Sequence, residues 1–491
     1  MVDAKVFNGM NVEDVSLKDT TSKDGKSPIA PSNNKNGTIF ISIASFRDGK
    51  RCGETLRSIF DNAMDPDKVF VGIVEQNYPE DEKCLEIYCN FYHAKMIQRR
   101  VVREEMTKIL VVEGRESKCP RFSQVRVLAF FNPIPSGPQH PRALQRKLLG
   151  NEEYCLQIDA HSSFIHHWDV IAKEEWKATH NEFAILSTSP AAMSERDDYE
   201  SRTGSKHGQV PRICKVRIAD NSLPEYVTPA NGNAINLVSP LLSYGWSPAF
   251  SFSKCHLEET TPNDPFLPFI FGAEAFSRYA RLWTRGYDVY TPTQNIVYHD
   301  YTPSKHMPEW KDRRQDGVRA ESLKRLRTLL GDDVSTESES AVAHANLGLY
   351  GLGARRTLQQ LKDFAEIDWS HGKENLGINC ANKAWVAYDH SIPPVENLYQ
   401  HFSKLNPQPE FTLRSEFQYL AVQDSQGNAE LPTINQIASN HSLAENDSSF
   451  TRILFFWAFG LILWCVFFTQ RLGLQHKIKK SFKRTIRTKR I

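Results

Sequence analysis

The sequence lacks the features by which several classes of protein are recognised. Its 491 residues contain 60 Lys and Arg against 58 Asp and Glu, so there is no basic excess and nucleic acid is not expected as a partner. The nine cysteines include no C-x-x-C pair, which excludes the usual zinc-ribbon spacing and offers no disulfide framework. We therefore favour free thiols, while disulfide pairing in an oxidising compartment stays open. No internal repeat is visible, which excludes solenoid folds.

Long apolar runs are also scarce, and only one is suited to a membrane. Residues 1–37 are polar and include no apolar core of a secretory signal, so we predict a disordered leader there. In contrast, residues 453–468 are uncharged and strongly apolar, and we predict a single transmembrane helix over 451–472. A buried core helix is the alternative, but the basic tail 473–491 favours a membrane anchor. The chain is therefore expected to be a single-pass protein of the Golgi or the endoplasmic reticulum.

Two observations disagree about the side of the membrane on which the main body lies. The basic tail favours a cytosolic C-terminus and a luminal body, whereas the missing signal sequence favours a tail-anchored protein with a cytosolic body. N-glycosylation sequons at Asn36, Asn440 and Asn446 would suit a luminal face, although chance alone produces a few. The sequence leaves the orientation open.

Alternating strand and helix patterns fill residues 38–370, which we predict to be one domain. The β-branched run 38–44, the amphipathic helix 53–63 and the strand 68–74 make a βαβ unit. Further strands are predicted over 109–112, 154–158, 185–187, 287–290 and 296–298, and helices over 142–149, 274–284, 317–330 and 355–364. This order predicts an α/β fold with a Rossmann-like, mostly parallel sheet flanked by helices. Residues 371–450 are polar and irregular, and are predicted to form a stalk.

The main candidate site is Asp159-Ala160-His161, directly after the strand 154–158. Ligands of open α/β sheets bind beyond the carboxyl ends of the strands, where Ser45–Asp48 should also lie. A carboxylate and an imidazole one residue apart can share a divalent cation, and this mixed donor set suits Mn²⁺. The competing interpretation is that Asp159 only caps a helix or turn.

Two later residues are candidates to complete this site. His299 closes the strand 296–298 and could return to the sheet edge as a third metal ligand, although an isolated histidine is more often part of a core. Glu274 begins a helix, where it could accept sugar hydroxyls or simply favour the helix dipole. Nothing in the sequence resembles H-E-x-x-H or a two-metal carboxylate cluster, so a metal hydrolase is not favoured.

Several blocks of the sequence, in order, resemble one family of glycosyltransferases. It is the polypeptide α-N-acetylglucosaminyltransferase type, which includes a cytosolic enzyme that modifies hydroxyproline on a ubiquitin-ligase adaptor and Golgi mucin-type relatives acting on Ser or Thr. The match extends from about residue 38 to residue 369. The blocks that carry it are FISIASFRD (40–48), VGIVEQN (71–77), EYCLQIDAH (153–161), DPFLPF (264–269), RLWTRGYD (281–288) and YGLGARRTL (350–358).

This resemblance implies a retaining enzyme of the GT-A fold that uses a UDP-sugar donor, UDP-GlcNAc by preference, and a protein hydroxyl as acceptor. Asp159, His161 and His299 would hold Mn²⁺ against the donor diphosphate, and Glu274 would act with Asp159 in catalysis. The turn with Ser45, Arg47 and Asp48 would face the uridine, and Arg142 would lie on the phosphate or uridine side. These donor-binding roles are carried over from the family's motifs.

The sequence departs from the family pattern at two positions near the candidate site. Ser163 stands where family members often have arginine, and Ala275 stands where a second acid usually follows Glu274. The alternative function is therefore a catalytically weakened membrane protein that keeps the fold as a binding or adaptor module.

Overall fold

The structure is a computed structural model of the chain. It describes residues 5–8, 11–14, 36–92, 96–100, 110–114, 119–131, 137–219, 222–227, 232–303, 316–331, 347–374, 382–389, 391–392, 422–423 and 429–430. Two compact units are present, and the first spans residues 1–102 and 107–413. In the second unit the described residues form one short antiparallel pair, Val422–Gln423 with Ala429–Glu430.

The first unit consists of short strands interleaved with helices. Its strands are β1 (Lys5–Asn8), β2 (Asn11–Asp14), β3 (Ile39–Phe46), β4 (Val69–Asn77), β5 (Met96–Arg100), β6 (Leu110–Gly114), β7 (Val125–Phe131), β8 (Tyr154–Asp159), β9 (Ser162–Phe164), β10 (Ala184–Ser187), β11 (Ala191–Ala192), β12 (Gln209–Arg212), β13 (Val216–Ile218), β14 (Pro224–Tyr226), β15 (Gly232–Ile235), β16 (Leu241–Ser243), β17 (Phe250–Lys254), β18 (Asp288–Thr291) and β19 (Val297–His299). Its helices are α1 (Gly49–Asn62), α2 (Cys84–Asn90), α3 (Gln139–Gln145), α4 (Trp168–Ala178), α5 (Arg196–Glu200), α6 (His256–Thr260), α7 (Ala273–Thr284), α8 (Asp316–Leu329), α9 (Leu347–Tyr350) and α10 (Leu358–Ala365).

The main sheet is mixed, which corrects the prediction of a mostly parallel sheet. Its strand order is β16-β18-β10-β17-β8-β3-β4-β7-β1-β2. The strands β8, β3, β4 and β7 are mutually parallel, as the βαβ pattern predicts. However, β17 lies antiparallel between β8 and β10, and β16 is antiparallel to β18. Strand direction depends on pairing between distant segments, which the periodicity of each strand does not reveal.

Strand β3 is buried on both faces, which explains its continuous apolar run. Ile41 and Ile43 belong to a core cluster that also contains the apolar face of α1, including Leu56 and Ile59. Phe40 belongs to a second cluster with Leu144 and Leu148, from the helix α3 and the turn after it. Helices therefore cover both sides of the parallel strands, as parallel sheets require.

A second, three-stranded sheet of order β11-β19-β9 adjoins the carboxyl end of β8. Its strand β9 begins three residues after Asp159 and pairs antiparallel with β19, so that His299 lies opposite Ser162. On its other side β19 pairs parallel with β11, where Ala192 faces His299. This register carries His299 back to the end of β8.

The expectation of free thiols is wrong. Disulfides join Cys52 to Cys84, Cys89 to Cys119 and Cys155 to Cys255, and Cys214 is disulfide-bonded as well. The partners are 30 to 100 residues apart in sequence. Cys52 meets Cys84 because α1 and α2 pack together, and Cys155 meets Cys255 because β17 pairs with β8. Spacing alone could not show either contact.

Other predictions meet the structure in part. The predicted strand 109–112 belongs to the separate hairpin of β5 and β6, and the helix predicted over 142–149 begins earlier, as α3 at Gln139–Gln145. Within the predicted leader 1–37 the structure describes residues 36–37 and the strands β1 and β2, which pair with each other, and β1 also pairs with β7. The rest of the leader, most of the stalk, the span 451–472 and the basic tail lie outside the described residues. Among the residues that are described, no helix is long and apolar enough to cross a bilayer.

Candidate functional site

The candidate site lies at the carboxyl ends of the parallel strands. Asp159 is the last residue of β8, His161 follows it, and β19 ends at His299. One ligand atom from each of these three side chains lies within 4.8 Å of the other two. The rings of His161 and His299 approach edge to face at 4.6 Å between centroids. The structure therefore brings all three predicted ligands together.

Asp159 is surrounded by positively charged or protonatable groups. Its Oδ2 lies 3.2 Å from Nε2 of His299, and its Oδ1 accepts a 3.0 Å hydrogen bond from Nη2 of Arg142. Burial opposes ionisation of the carboxyl, but the hydrogen bond with His299 and the charges of Arg142 and His161 outweigh it, so the pKa of Asp159 lies well below its ordinary value. Asp159 is therefore a carboxylate at neutral pH.

His161 is oriented by the carboxylate of Asp48, a residue that the family resemblance had assigned to binding the donor. Its Nδ1 lies 2.9 Å from Oδ2 of Asp48, the residue immediately before α1. A carboxylate only accepts hydrogen bonds, so Nδ1 of His161 carries the hydrogen, and in the neutral ring Nε2 keeps its lone pair. The other oxygen of Asp48 accepts a 2.7 Å hydrogen bond from Nε of Arg51, whose Nη1 reaches Asp300 at 3.3 Å. Arg51 and Asp48 thus hold His161 in the tautomer that a metal ligand needs.

Arg142 links the metal ligands to Glu274. Its guanidinium is 7% exposed and its Nη1 lies 3.9 Å from Oε1 of Glu274, which begins the first turn of α7 and is 3% exposed. Burial raises the pKa of Glu274 to about 7, and the charge of Arg142 opposes this shift. Within the part of the chain that the structure describes, neither Nη1 of Arg142 nor Oε2 of Glu274 has a hydrogen-bond partner. Unpaired buried polar atoms are costly, which is the pattern expected where a polar ligand completes the bonding.

Three further buried polar residues, two at strand ends and one on α3, were missed by sequence reasoning or assigned only in part. Oγ of Ser45, Oδ1 of Asn77 and both side-chain polar atoms of Gln145 are buried and have no hydrogen-bond partner among the described residues. Ser45 and Asn77 lie at the ends of β3 and β4, and Gln145 follows Arg142 by three residues on α3. Asn77 could have been found by looking beyond the carboxyl end of β4, where ligands of such sheets bind. Gln145 could have been found as the i+3 neighbour of Arg142 on α3.

Arg47 is engaged elsewhere. Its guanidinium makes two hydrogen bonds to Asp81, at 2.7 and 2.9 Å, and lies 4.6 Å from the centroid of the Tyr78 ring. Arg47 also has a φ of 50°, which turns the chain from β3 into α1. The structure therefore gives Arg47 contacts that shape the turn carrying Asp48.

Comparisons with known proteins identify a family. A sequence model described as "Glycosyltransferase (GlcNAc)" matches residues 38–371, about two thirds of the chain. No curated protein matches the chain closely enough to count as a relative.

Solved structures show only distant likeness. GalNAc-T7 with UDP, GalNAc and Mn²⁺ has a TM-score of 0.42 at 12% identity, covering 66% of this chain, which spans 56% of that protein. Residues 1–349 of TarS from S. aureus with UDP-GlcNAc give 0.36 at 11%, covering 62% and 70% of the two chains. A Pyrobaculum calidifontis mannosyltransferase with GDP-Man and Mn²⁺ gives 0.34 at 11%, covering 65% and 70%. Likeness at this level supports no inference about the chain's chemistry.

Proposed function

The chain belongs to the GlcNAc glycosyltransferase family, and on that premise we propose that it is a metal-dependent transferase of the GT-A type. It moves GlcNAc from UDP-GlcNAc to a hydroxyl of a protein acceptor with retention of configuration. The observation that carries the proposal is the convergence of Asp159, His161 and His299 at the end of β8, where ligands of such sheets bind.

The donor atoms fit a divalent cation. Two ligands at right angles on an ion with bonds of about 2.1 Å are separated by roughly 3 Å, and Oδ2 of Asp159 and Nε2 of His299 are 3.2 Å apart. Because Nδ1 of His161 contacts Asp48, Nε2 of His161 would be the third atom that coordinates the cation. One carboxylate oxygen and two imidazole nitrogens leave coordination positions for phosphate oxygens, and the mixed set suits Mn²⁺. A cation bound there would neutralise the charge that develops on the leaving diphosphate.

Arg142 and Glu274 would act on the substrate side of these ligands. The free Nη1 of Arg142 can donate a hydrogen bond to a phosphate oxygen, and a preorganised buried cation is an effective stabiliser of developing negative charge. Glu274, with a pKa of about 7, can accept a hydrogen bond from a sugar or acceptor hydroxyl and take up its proton as the bond forms. Retention by front-face attack needs no protein nucleophile, so no residue is proposed for that role.

The uridine is assigned to the part of the sheet edge beside β3 and β4. Ser45, Asn77 and Gln145 together offer a hydroxyl, an amide oxygen and a complete amide, all buried and unpaired. A pyrimidine edge presents both a donor and acceptors, so an amide such as that of Gln145 can pair with it on both sides. This assignment supports a nucleotide donor rather than a free sugar.

We also propose that residues 451–472 anchor the protein in a membrane. The support is the uncharged apolar run from 453 to 468 and the nine Lys or Arg that follow within residues 471–491. Basic residues next to a span are retained on the cytosolic side.

The decisive experiment is a donor screen with the purified full-length chain. UDP release from UDP-GlcNAc, UDP-GalNAc and UDP-glucose is measured with Mn²⁺, with Mg²⁺ and with chelator, using Asp159→Ala as the inactive control. We expect release from UDP-GlcNAc that requires the metal and disappears in the variant. Equal release in chelator, or release by Asp159→Ala at the wild-type rate, would refute the metal-dependent mechanism. No release with any donor, from a protein that still binds UDP and Mn²⁺, would favour the adaptor function.

A further inference from the structure

We propose that Asn36 carries an N-linked glycan and that the catalytic domain consequently matures in the oxidising lumen of the secretory pathway. The sequon Asn36-Gly37-Thr38 immediately precedes β3. Asn36 is the first residue after β2 that the structure describes. The inference does not depend on the proposed transfer reaction, because it uses neither the metal ligands nor the residues around them.

The structure presents Asn36 as an accessible acceptor. The residue is exposed, and its Oδ1 accepts hydrogen bonds from the backbone N–H of Thr38 at 3.1 Å and from the Thr38 hydroxyl at 2.6 Å. These bonds occupy the carbonyl half of the amide, while Nδ2 makes no hydrogen bond to any described residue. The nitrogen that would be glycosylated is thus available at the surface.

The backbone of the sequon is held in place by hydrogen bonds to residues at the start of β8. Gly37 adopts a φ of 70°, a conformation that glycine accepts without a steric penalty. Its N–H donates a 2.7 Å hydrogen bond to Oε2 of Glu153, and the carbonyl of Thr38 accepts from the N–H of Tyr154 at 3.0 Å. Glu153 and Tyr154 lie at the start of β8. The sequon is therefore a defined surface turn on the folded domain.

The cysteines indicate the same compartment independently. Cys52–Cys84, Cys89–Cys119 and Cys155–Cys255 are all disulfides, and each of the six residues is at most 5% exposed. Disulfides persist in the endoplasmic reticulum and beyond it but are rare in the cytosol. The lumen that permits them is also where oligosaccharide is transferred to sequons. A luminal domain agrees with a cytosolic basic tail after the predicted span.

A glycan at this position is compatible with the proposed active site. Asn36 precedes the amino end of β3, whereas the site lies beyond the carboxyl ends of β3 and β8. Eight residues of strand separate them, which at about 3.3 Å per residue is roughly 25 Å. The glycan would project from the opposite edge of the sheet.

The modification is a group transfer from a lipid diphosphate-linked oligosaccharide. The bond between its anomeric carbon and the diphosphate oxygen breaks, and a bond from that carbon to Nδ2 of Asn36 forms. The amide loses one proton to a base of the oligosaccharide-transferring enzyme, and the lipid diphosphate leaves with the bonding electron pair.

The test isolates Asn36 from the two other sequons. The full chain carrying Asn440→Gln and Asn446→Gln is expressed in cells with an intact secretory pathway and is treated with peptide:N-glycosidase. Three single substitutions are then made in this parent. Asn36→Gln removes the acceptor, and Thr38→Val removes the hydroxyl but keeps the shape of the side chain. Thr38→Ser is the matched control, because it keeps the sequon. Cysteines are alkylated with and without prior reduction, and the peptides are identified by mass spectrometry.

We expect the parent and Thr38→Ser to gain electrophoretic mobility by one glycan on enzyme treatment, with Asn36 converted to Asp. Asn36→Gln and Thr38→Val should already migrate at the deglycosylated position. The six cysteines should be alkylated only after reduction, and Asn36→Gln should release UDP at the parent rate. Recovery of an unmodified Asn36 peptide from the parent would overturn the proposal, and so would alkylation of these cysteines without reductant. The glycan and alkylation readouts do not require turnover, so their failure is distinguishable from failure of the proposed function.

Discussion

Replacing Asp48 by Asn tests whether the contact between Asp48 and His161 prepares the metal site. The two carboxylate oxygens of Asp48 are both occupied, one by Nδ1 of His161 at 2.9 Å and the other by Nε of Arg51 at 2.7 Å. An amide has only one acceptor oxygen. Because Nε of Arg51 is always a donor, the oxygen of the new amide is retained by Arg51 and its NH₂ group faces His161.

An NH₂ group facing Nδ1 favours the imidazole tautomer in which Nδ1 is bare and Nε2 carries the hydrogen. That tautomer cannot donate an Nε2 lone pair to a cation. Loss of such an orienting partner typically weakens metal binding about 10- to 100-fold, which corresponds to about 1.4–2.7 kcal/mol. We expect Asp48→Asn to weaken Mn²⁺ binding within this range while leaving the thermal transition close to that of the wild type.

Mn²⁺ binding is measured without substrate, by the electron paramagnetic resonance signal of the free ion during titration of the full-length chain. Asp81→Asn is the matched control, because Asp81 also pairs with an arginine in this region, Arg47, and is not one of the three candidate metal ligands. It should bind Mn²⁺ with wild-type affinity. If Asp48→Asn binds Mn²⁺ as tightly as Asp81→Asn does, the tautomer argument is wrong.

Three further predictions concern other parts of the site and the fold. Asp159→Ala should abolish Mn²⁺-dependent transfer but leave the circular dichroism spectrum of the fold intact, and wild-type turnover by this variant would refute the metal assignment. Burial raises the pKa of Glu274 to about 7, so kcat/KM should rise with pH through that value as the carboxylate forms. Glu274→Gln should lose this limb and roughly 10²–10⁴-fold in rate, and persistence of the limb would exclude Glu274 as the base. Removing the Cys155–Cys255 disulfide by double substitution with Ala should lower the free energy of unfolding by about 2–5 kcal/mol, measured by chemical denaturation. An unchanged value would show that the bond adds nothing to stability.

Elements whose signal is local could be predicted from the sequence. Strand β3 was expected over 38–44 and is found at Ile39–Phe46, and α7 was expected over 274–284 and is found at Ala273–Thr284. Both carry their signal in the segment itself: β3 as a short run rich in β-branched and aromatic residues, and α7 as apolar residues at helical spacing. The placement of Asp159 beyond a buried strand follows from the same local pattern.

Contacts that depend on strand direction could not be predicted in the same way. The antiparallel entry of β17 beside β8 makes the sheet mixed, and it also brings Cys255 to Cys155. The family resemblance assigned Asp48 to the donor, but its partner is His161, 113 residues away. His299 was an exception, since its place at the end of a strand indicated the correct edge although the register with β9 was unknown.

The departure from the family pattern at Ser163 supports the adaptor function less than the sequence alone suggests. Oγ of Ser163 accepts a 3.1 Å hydrogen bond from Nη1 of Arg196, whose guanidinium also lies 5.1 Å from the centroid of the Tyr298 ring. Tyr298 is the partner of Ser163 across β9 and β19, so a guanidinium packs beside Ser163 in this chain. A cation supplied by α5 thus stands beside the strand pair that positions His299. Since the three ligands, Arg142 and Glu274 are also assembled, the geometry favours a working enzyme over a binding module.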